Sequence, residues 1–255
     1  MRVRFALAAL FAGAAMTSAA LTSAALATSP LPELAAAPQV QASDRWAETN
    51  TYERAPSTWR QTHDETTVVR VTDDGITLAT HQVGATGTPA ERMVGRDWSR
   101  FRSIGGKEVV VNRPLSFPLA AGKSWDLAYT DPAPTNRAHR SETFAEHYRV
   151  TGAEDIDVPA GHFHAIKIEA SGQWAAEIAI GPTAIAATHA DAHGATAIST
   201  TTAPLHGKVE GRLYKAFWYV PEVHRWVKSV EEYYDANGNR NERYTSELEA
   251  WHPGA

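Results

Sequence analysis

Two histidines two residues apart, His162 and His164, are the sharpest chemical signal in this 255-residue chain. On a β-strand, residues i and i+2 project to the same face, a common way to present two imidazoles to zinc or copper. His189, Asp191 and His193 form a second group that could fold over them. A metal site built on His162, His164, His189 and His193 is therefore one expectation. The same parity puts His162 and His164 on the face of Ile166 and Ile168, which reads as the inner one. A histidine there is equally a hydrogen-bonded core residue, and the Ala-rich surroundings of the second group offer its ligands no rigid scaffold.

Aromatic residues supply the other candidate chemistry, with eight tryptophans and eight tyrosines in the chain. Trp218, Tyr219, Trp226, Tyr233 and Tyr234 crowd two strands around a turn at Pro221. Trp218, Tyr219, Trp226 and Tyr234 are the expected ligand wall, able to stack on a sugar or line a site for an acyl chain. Large aromatics also fill β-barrel cores and cross-strand pairs, which is the plainer reading. Lys228, Glu231 and Glu232 read as a solvated face. No G-x-S-x-G elbow, S-x-x-K, H-E-x-x-H or P-loop occurs, so no residue is assigned a catalytic role. The chain is expected not to be an enzyme and, beyond zinc or copper, to need no cofactor.

The elements that must position these residues read as strands and turns. Asp155-Ile156-Asp157-Val158-Pro159-Ala160-Gly161-His162-Phe163-His164 is a strand, a turn with Pro and Gly in type I positions, and a second strand. Phe217-Trp218-Tyr219-Val220-Pro221-Glu222-Val223-His224-Arg225-Trp226 repeats the plan. Asp73-Asp74-Gly75 and Asp235-Ala236-Asn237-Gly238-Asn239 are further hairpin signals. Val109-Val110-Val111 and Trp125-Asp126-Leu127-Ala128-Tyr129 read as strands, and residues 115–122, with two prolines and a glycine, as a loop. About ten short strands and no defensible helix predict an all-β fold: an antiparallel meander forming a curved sheet, half-barrel or barrel. Residues 175–205, rich in Ala, Thr and His, read as a low-complexity insertion forming a long excursion between two strands.

Arg2 and Arg4 precede an apolar run, and Ala25-Leu26-Ala27 closes it with small residues, so 1–27 reads as a cleaved signal peptide. Residues 28–43 read as a flexible Ala/Pro-rich leader, and 44–255 as a single β domain. The formal charge of −5, moving to −7 without Arg2 and Arg4, argues against a nucleic-acid partner. No later stretch is apolar enough to span a bilayer. With no cysteine in the chain there is no disulfide and no thiolate ligand, so stability rests on packing.

A family resemblance rests on turn and strand motifs. They are Thr72-Asp73-Asp74-Gly75-Ile76-Thr77, Gly95-Arg96-Asp97-Trp98, Phe117-Pro118-Leu119 with Gly122-Lys123-Ser124-Trp125, Val158-Pro159-Ala160-Gly161 with Phe163 and Ala165, and Trp218-Tyr219-Val220-Pro221-Glu222-Val223. Together they resemble a family of exported, β-rich proteobacterial proteins over residues 46–234, with 175–205 uncovered. The resemblance implies an envelope protein without assigned catalytic residues, half-barrel-like by analogy with lipoprotein carriers. It gives His162 and His164 no family role. The functional expectation is a periplasmic or secreted, non-enzymatic binding or envelope-maintenance protein. Its expected ligand is apolar, held in a curved sheet, and its possible partners are lipid, glycan or another envelope protein. Metal binding through the histidines is the alternative.

Overall fold

The computed structural model describes residues 35–190 and 196–254, with side chains for 35–178 and 207–254. The expected signal peptide lies outside the described residues. Twelve strands follow one another: β1 (Arg45–Arg54), β2 (Thr58–Thr72), β3 (Gly75–Gln82), β4 (Ala90–Val94), β5 (Arg100–Ile104), β6 (Lys107–Asn112), β7 (Ser124–Asp131), β8 (His139–Val158), β9 (Gly161–Ala190), β10 (Thr196–Val220), β11 (Arg225–Tyr234) and β12 (Arg240–His252). The one helical element among the described residues is a 3-10 turn at Pro221–Val223. All twelve strands form one sheet, ordered β6-β5-β4-β3-β2-β1-β12-β11-β10-β9-β8-β7. Every pairing is antiparallel, as short turns between consecutive strands require. The first strand pairs with the last, so the meander curls into a nearly closed barrel.

The turn signals act as their chemistry predicts. Between β11 and β12, the Asp235 carboxylate accepts the backbone N–H groups of Asn237 and Asn239, each at 2.9 Å. Gly238 takes the left-handed conformation at φ 83°, which an L side chain resists.

Closure is incomplete at one seam, where β6 lies against β7 without a backbone ladder. Side chains stitch it instead. Arg102 reaches Asp131 at 2.6 Å and Thr135 at 2.7 Å, and the Trp125 indole N–H donates to the Arg113 carbonyl at 3.0 Å. The Tyr148 hydroxyl oxygen lies 3.3 Å from the Asn112 side-chain amide across the same gap.

One end of the barrel is plugged. The loop between β6 and β7 turns Leu115 and Leu119 inward, where both are fully buried beside Val150, Ile168 and Tyr219. Burying a side chain of that size contributes about 1.5–3 kcal/mol. Residues 35–43, expected as a free leader, pack on this plug: Ala35 and Leu119 exchange backbone hydrogen bonds at 3.0 and 2.8 Å, and Ala35 and Val40 are buried. The turns of this end are tied down as well. The indoles of Trp46 and Trp98 donate to the carbonyls of Val223 and His224.

Residues 175–205, expected as a long excursion between two strands, are described over 175–190 and 196–205. Their described parts continue β9 and β10 as a ladder from Ala175↔Glu210 to Ala190↔Thr196, far past the barrel wall. Its register shift lies between Ala203 and Leu205, at Pro204, whose nitrogen has no hydrogen to give a ladder.

Candidate functional site

Away from the plug, the inner face of the sheet turns polar. Alternation on β11 points Ser229, Glu231 and Tyr233 inward, and on β1 it does the same for Glu48 and Asn50. These residues surround a lumen of about 270 Å³, whose charged lining includes Glu48, Asp64, Arg92, Arg100 and Arg225, with Trp226 beside them. A vestibule of about 670 Å³ lies at the mouth, walled by Phe144, Trp174, Tyr233 and Tyr244 with His139 and Arg54. Arg100 and Glu231 border both spaces, so the lumen and the vestibule adjoin across these two side chains.

Most of the interior charge is committed to fixed pairs. Lys215 on β10 stands opposite Glu231 on β11. Its ammonium lies 2.9 Å from Glu146 and 3.8 Å from Glu231, with the Lys215 and Glu146 side chains only 4% and 1% exposed. Glu146 also accepts the Tyr148 hydroxyl. Burial and the Glu146 carboxylate push the Tyr148 pKa well up, so the phenol stays neutral and donates. For Glu231, burial raises the pKa, but the charges of Lys215 and Arg100 and the Tyr233 hydroxyl outweigh it. The carboxyl sits below its ordinary range.

Deeper in, Arg225 reaches Glu48 at 3.0 Å, with both side chains 6% exposed. Its guanidinium lies over the rings of Trp46, Trp98 and Trp226 at 5.5, 5.3 and 4.9 Å, a cation–π cage. Nε and Nη1 of Arg225 have no hydrogen-bond partner among the described residues. Asp64 accepts the Asn50 amide at 2.9 Å. Arg92 and Arg100 are different: among the described residues neither has a carboxylate within 4.0 Å. Desolvation, then the like charges of Arg225 and Arg100, lower the Arg92 pKa against the opposing pull of Glu48 and Asp64.

The mouth is an aromatic ring held by side-chain contacts. Trp174 lies across Gly211 of the neighbouring strand and donates its indole N–H to the Tyr234 carbonyl at 3.1 Å. A Cβ at residue 211 would fall 1.8 Å from that carbonyl oxygen, so glycine is what lets the strand and indole approach. Tyr244 sits between Tyr52 and Tyr233, at centroid distances of 4.8 and 6.3 Å, and Phe144 stacks on Tyr129 at 4.9 Å. His139 Nδ1 lies 2.7 Å from Glu142 at the rim. Such a chamber can orient a small polar molecule by charge at its floor and by stacking at its entrance.

The residues expected to form sites are placed as follows. His162 and His164 do not face a cavity. They lie beyond the buried stretch of β9, 64% and 44% exposed, each paired across the hairpin with an aspartate: His162 with Asp157 at 2.9 Å and His164 with Asp155 at 2.7 Å. Parity holds along β9, but the hairpin tip runs past the core, so the face that buries Ile166 and Ile168 meets solvent at 162 and 164. Among the described residues no group of three or more His, Asp or Glu side chains is arranged to hold a metal, which removes support for the zinc or copper reading. The side chain of His189, and Asp191 and His193 altogether, lie outside the described residues.

The four aromatics of the expected ligand wall are not brought together. Trp218 faces outward between Lys167 and Lys228, with its indole N–H on Glu154. Tyr219, next in sequence, is fully buried against Phe117 in the plugged end. Tyr234 lies under Arg212 and donates to Glu232 at 2.6 Å on the outer face. Trp226 alone of the four lines the lumen. Glu231, expected on a solvated face, is inside, because adjacent Glu231 and Glu232 must face opposite ways. The residues missed altogether are Arg92, Arg100, Phe144, Trp174 and Tyr244. Ala90-Glu91-Arg92-Met93-Val94 does not alternate polar with apolar residues, so its pattern carries no signal for Arg92.

No protein-family model matches the sequence, and no curated protein matches it. Two solved structures show a distant likeness. One is described as a "putative lipoprotein" of Parabacteroides distasonis: 15% identity and a TM-score of 0.44 over 84% of this chain and 97% of that one. The other is described as a "putative exported protein with YmcC-like fold" of Bacteroides fragilis: 13% identity and a TM-score of 0.38 over 86% and 99%. The likeness to a proteobacterial family therefore stands on the turn motifs alone.

Proposed function

We propose that the protein is an exported, non-catalytic binding module whose barrel takes up a polar small molecule through the aromatic mouth. One observation supports this above the others: a charged lumen adjoins an aromatic-walled vestibule, with Arg100 and Glu231 bordering both. A barrel built only as a packed scaffold would fill that volume with apolar side chains, as the plugged end does. An apolar ligand, the expectation from sequence, fits poorly, because seating it would take the exposed guanidiniums of Arg92 and Arg100 out of water without a partner. The basic, apolar and small-residue order of the first 27 residues supports export, with the periplasm as the proposed site of action.

Native mass spectrometry of the protein purified from cells that naturally export it tests the reading. The wild type should carry a small-molecule adduct, and Ser246→Trp, which fills the lumen from β12, should lose it. No adduct on the wild type, or the same adduct on the variant, refutes a lumen ligand.

A further inference from the structure

We infer that the lumen is an oxyanion site: Arg92 and Arg100 grip the carboxylate or phosphate of a small molecule whose uncharged body rests against the aromatic mouth. This rests on the reading of the lumen as a ligand chamber and says which chemistry enters it. The argument begins from the inventory of donors and acceptors. The lumen wall carries three guanidinium groups, Arg92, Arg100 and Arg225, and three carboxylates, Glu48, Asp64 and Glu231. By charge alone these balance. By hydrogen bonding they do not.

Each carboxylate already has a partner: Glu48 holds Arg225, Asp64 accepts from Asn50, and Glu231 lies beside Lys215 and accepts the Tyr233 hydroxyl. A guanidinium offers five donors and no acceptor. Arg92 and Arg100 therefore bring donors into the chamber that no described carboxylate meets within 4.0 Å. Arg225 adds positive charge to the same wall rather than free donors: it holds Glu48, and its other two nitrogens are buried where the guanidinium lies over Trp46, Trp98 and Trp226. Guanidinium forks match carboxylate and phosphate geometry, and such pairs strengthen where water is partly excluded.

Position supports the same class. Arg100 borders lumen and vestibule alike, so an oxyanion held there leaves the rest of the molecule beside Trp174, Tyr233 and Tyr244. The phenol oxygens at the mouth, whose protons go to Glu231 and Glu242, can accept from hydroxyl groups. An aromatic or sugar ring carrying one acidic group is the body that fits. A cation would meet three guanidiniums and carboxylates that are already paired.

Calorimetric titration of the full-length mature protein with charge-matched probes decides it. Phenyl phosphate and glucuronate are the anionic members, and phenol and methyl glucoside their neutral counterparts. The anionic probes should bind, the neutral ones at least about tenfold more weakly, and added chloride should weaken the anions selectively. Arg92→Gln and Arg100→Gln should each lower anion affinity by about tenfold or more, and Arg100→Lys by less, because charge is kept while the fork is lost. Circular dichroism confirms that each variant is folded, and the lysine variant carries the test where a glutamine variant is not.

Neutral probes binding as tightly as anionic ones, with the arginine variants unchanged and Ser246→Trp abolishing both, would overturn the oxyanion assignment and leave the ligand chamber standing. Binding by neither class overturns the assignment too. The chamber itself is then judged on the adduct carried by the natively exported protein.

Discussion

Lys215→Met should destabilise the protein by about 3–5 kcal/mol, because it strands a buried carboxylate. Glu146 is 1% exposed, and the Lys215 ammonium at 2.9 Å is the cation that compensates it. The Tyr148 hydroxyl also donates to Glu146, but a neutral donor cannot replace a full charge. Glu231, 3.8 Å from the same ammonium, loses a cation too, yet it keeps the Arg100 field and the Tyr233 hydroxyl. The cost therefore falls mainly on Glu146. Methionine fills a similar volume, so a cavity adds little. For a domain of this size each kcal/mol moves the melting temperature by about 2–4 °C, which predicts a drop of roughly 6–20 °C. Urea unfolding at pH 7 followed by tryptophan fluorescence and far-UV circular dichroism gives the free energy directly, provided the slope is unchanged. Lys215→Met/Glu146→Met, which removes both charges, should recover most of the loss, since a buried pair exchanged for apolar groups is often neutral. A single variant within about 1 kcal/mol of wild type would refute the reasoning, because Glu146 would then not be carrying buried charge.

The exposed hairpin offers a pH test. Hydrogen bonding and then charge from Asp157 raise the His162 pKa above its ordinary 6.5. A raised folded pKa means the pair's contribution is fully present below about 6.5 and is lost as pH rises through the folded value. NMR titration should find the His162 midpoint raised in wild type and returned toward 6.5 in Asp157→Asn; an unmoved midpoint counts against the pair. Gly211→Ala should cost about 1–3 kcal/mol, as overpacking does, because its Cβ meets the Tyr234 carbonyl oxygen at 1.8 Å and the Trp174 indole nitrogen at 3.0 Å. The companion sign is a shift in Trp174 fluorescence, read against a Trp174→Phe background. A neutral Gly211→Ala would mean that the strands can part there without loss.

The strands and most turns were legible because period-two patterning and Asp-Gly or Pro-Gly turns are written locally. The hairpins at Pro159, Pro221 and Asn237-Gly238 lie where the residues place them. Other features depend on what lies across the sheet. The ladder through 175–190 and 196–205 was hidden because Ala, Thr and Ser recur without a charged face, though Thr and Ile in that stretch suit a pleated strand. Faces were misjudged at Trp218 with Tyr219 and at Tyr233 with Tyr234 because each pair was grouped as one wall, whereas adjacent residues on a strand face opposite ways. For His162 and His164 the parity was right and the depth was not, since where a strand leaves the core depends on its neighbours' lengths. Arg92 and Arg100 were illegible because an arginine on a short strand reads as surface, and both are indeed exposed; only the curl of the sheet brings them to one wall.

Strand number explains why charge survives inside this barrel at all. An eight-stranded barrel is about as wide as side chains can fill, and diameter grows roughly linearly with strand count. Twelve strands curled until β1 meets β12 enclose more than their own inner side chains can occupy. The fold meets that excess in two ways. At one end the β6–β7 loop and the 35–43 segment insert Leu115, Leu119 and Val40, and the interior is packed with apolar side chains. At the other, among the described residues no segment is inserted, and Arg92 and Arg100 are exposed without a carboxylate within 4.0 Å. The plug thus sets the boundary between the two environments. Shortening the β6–β7 loop would extend the wet lumen toward Tyr219 and Phe117, whereas lengthening it toward Arg225 would force that cation to find a partner or lose its place.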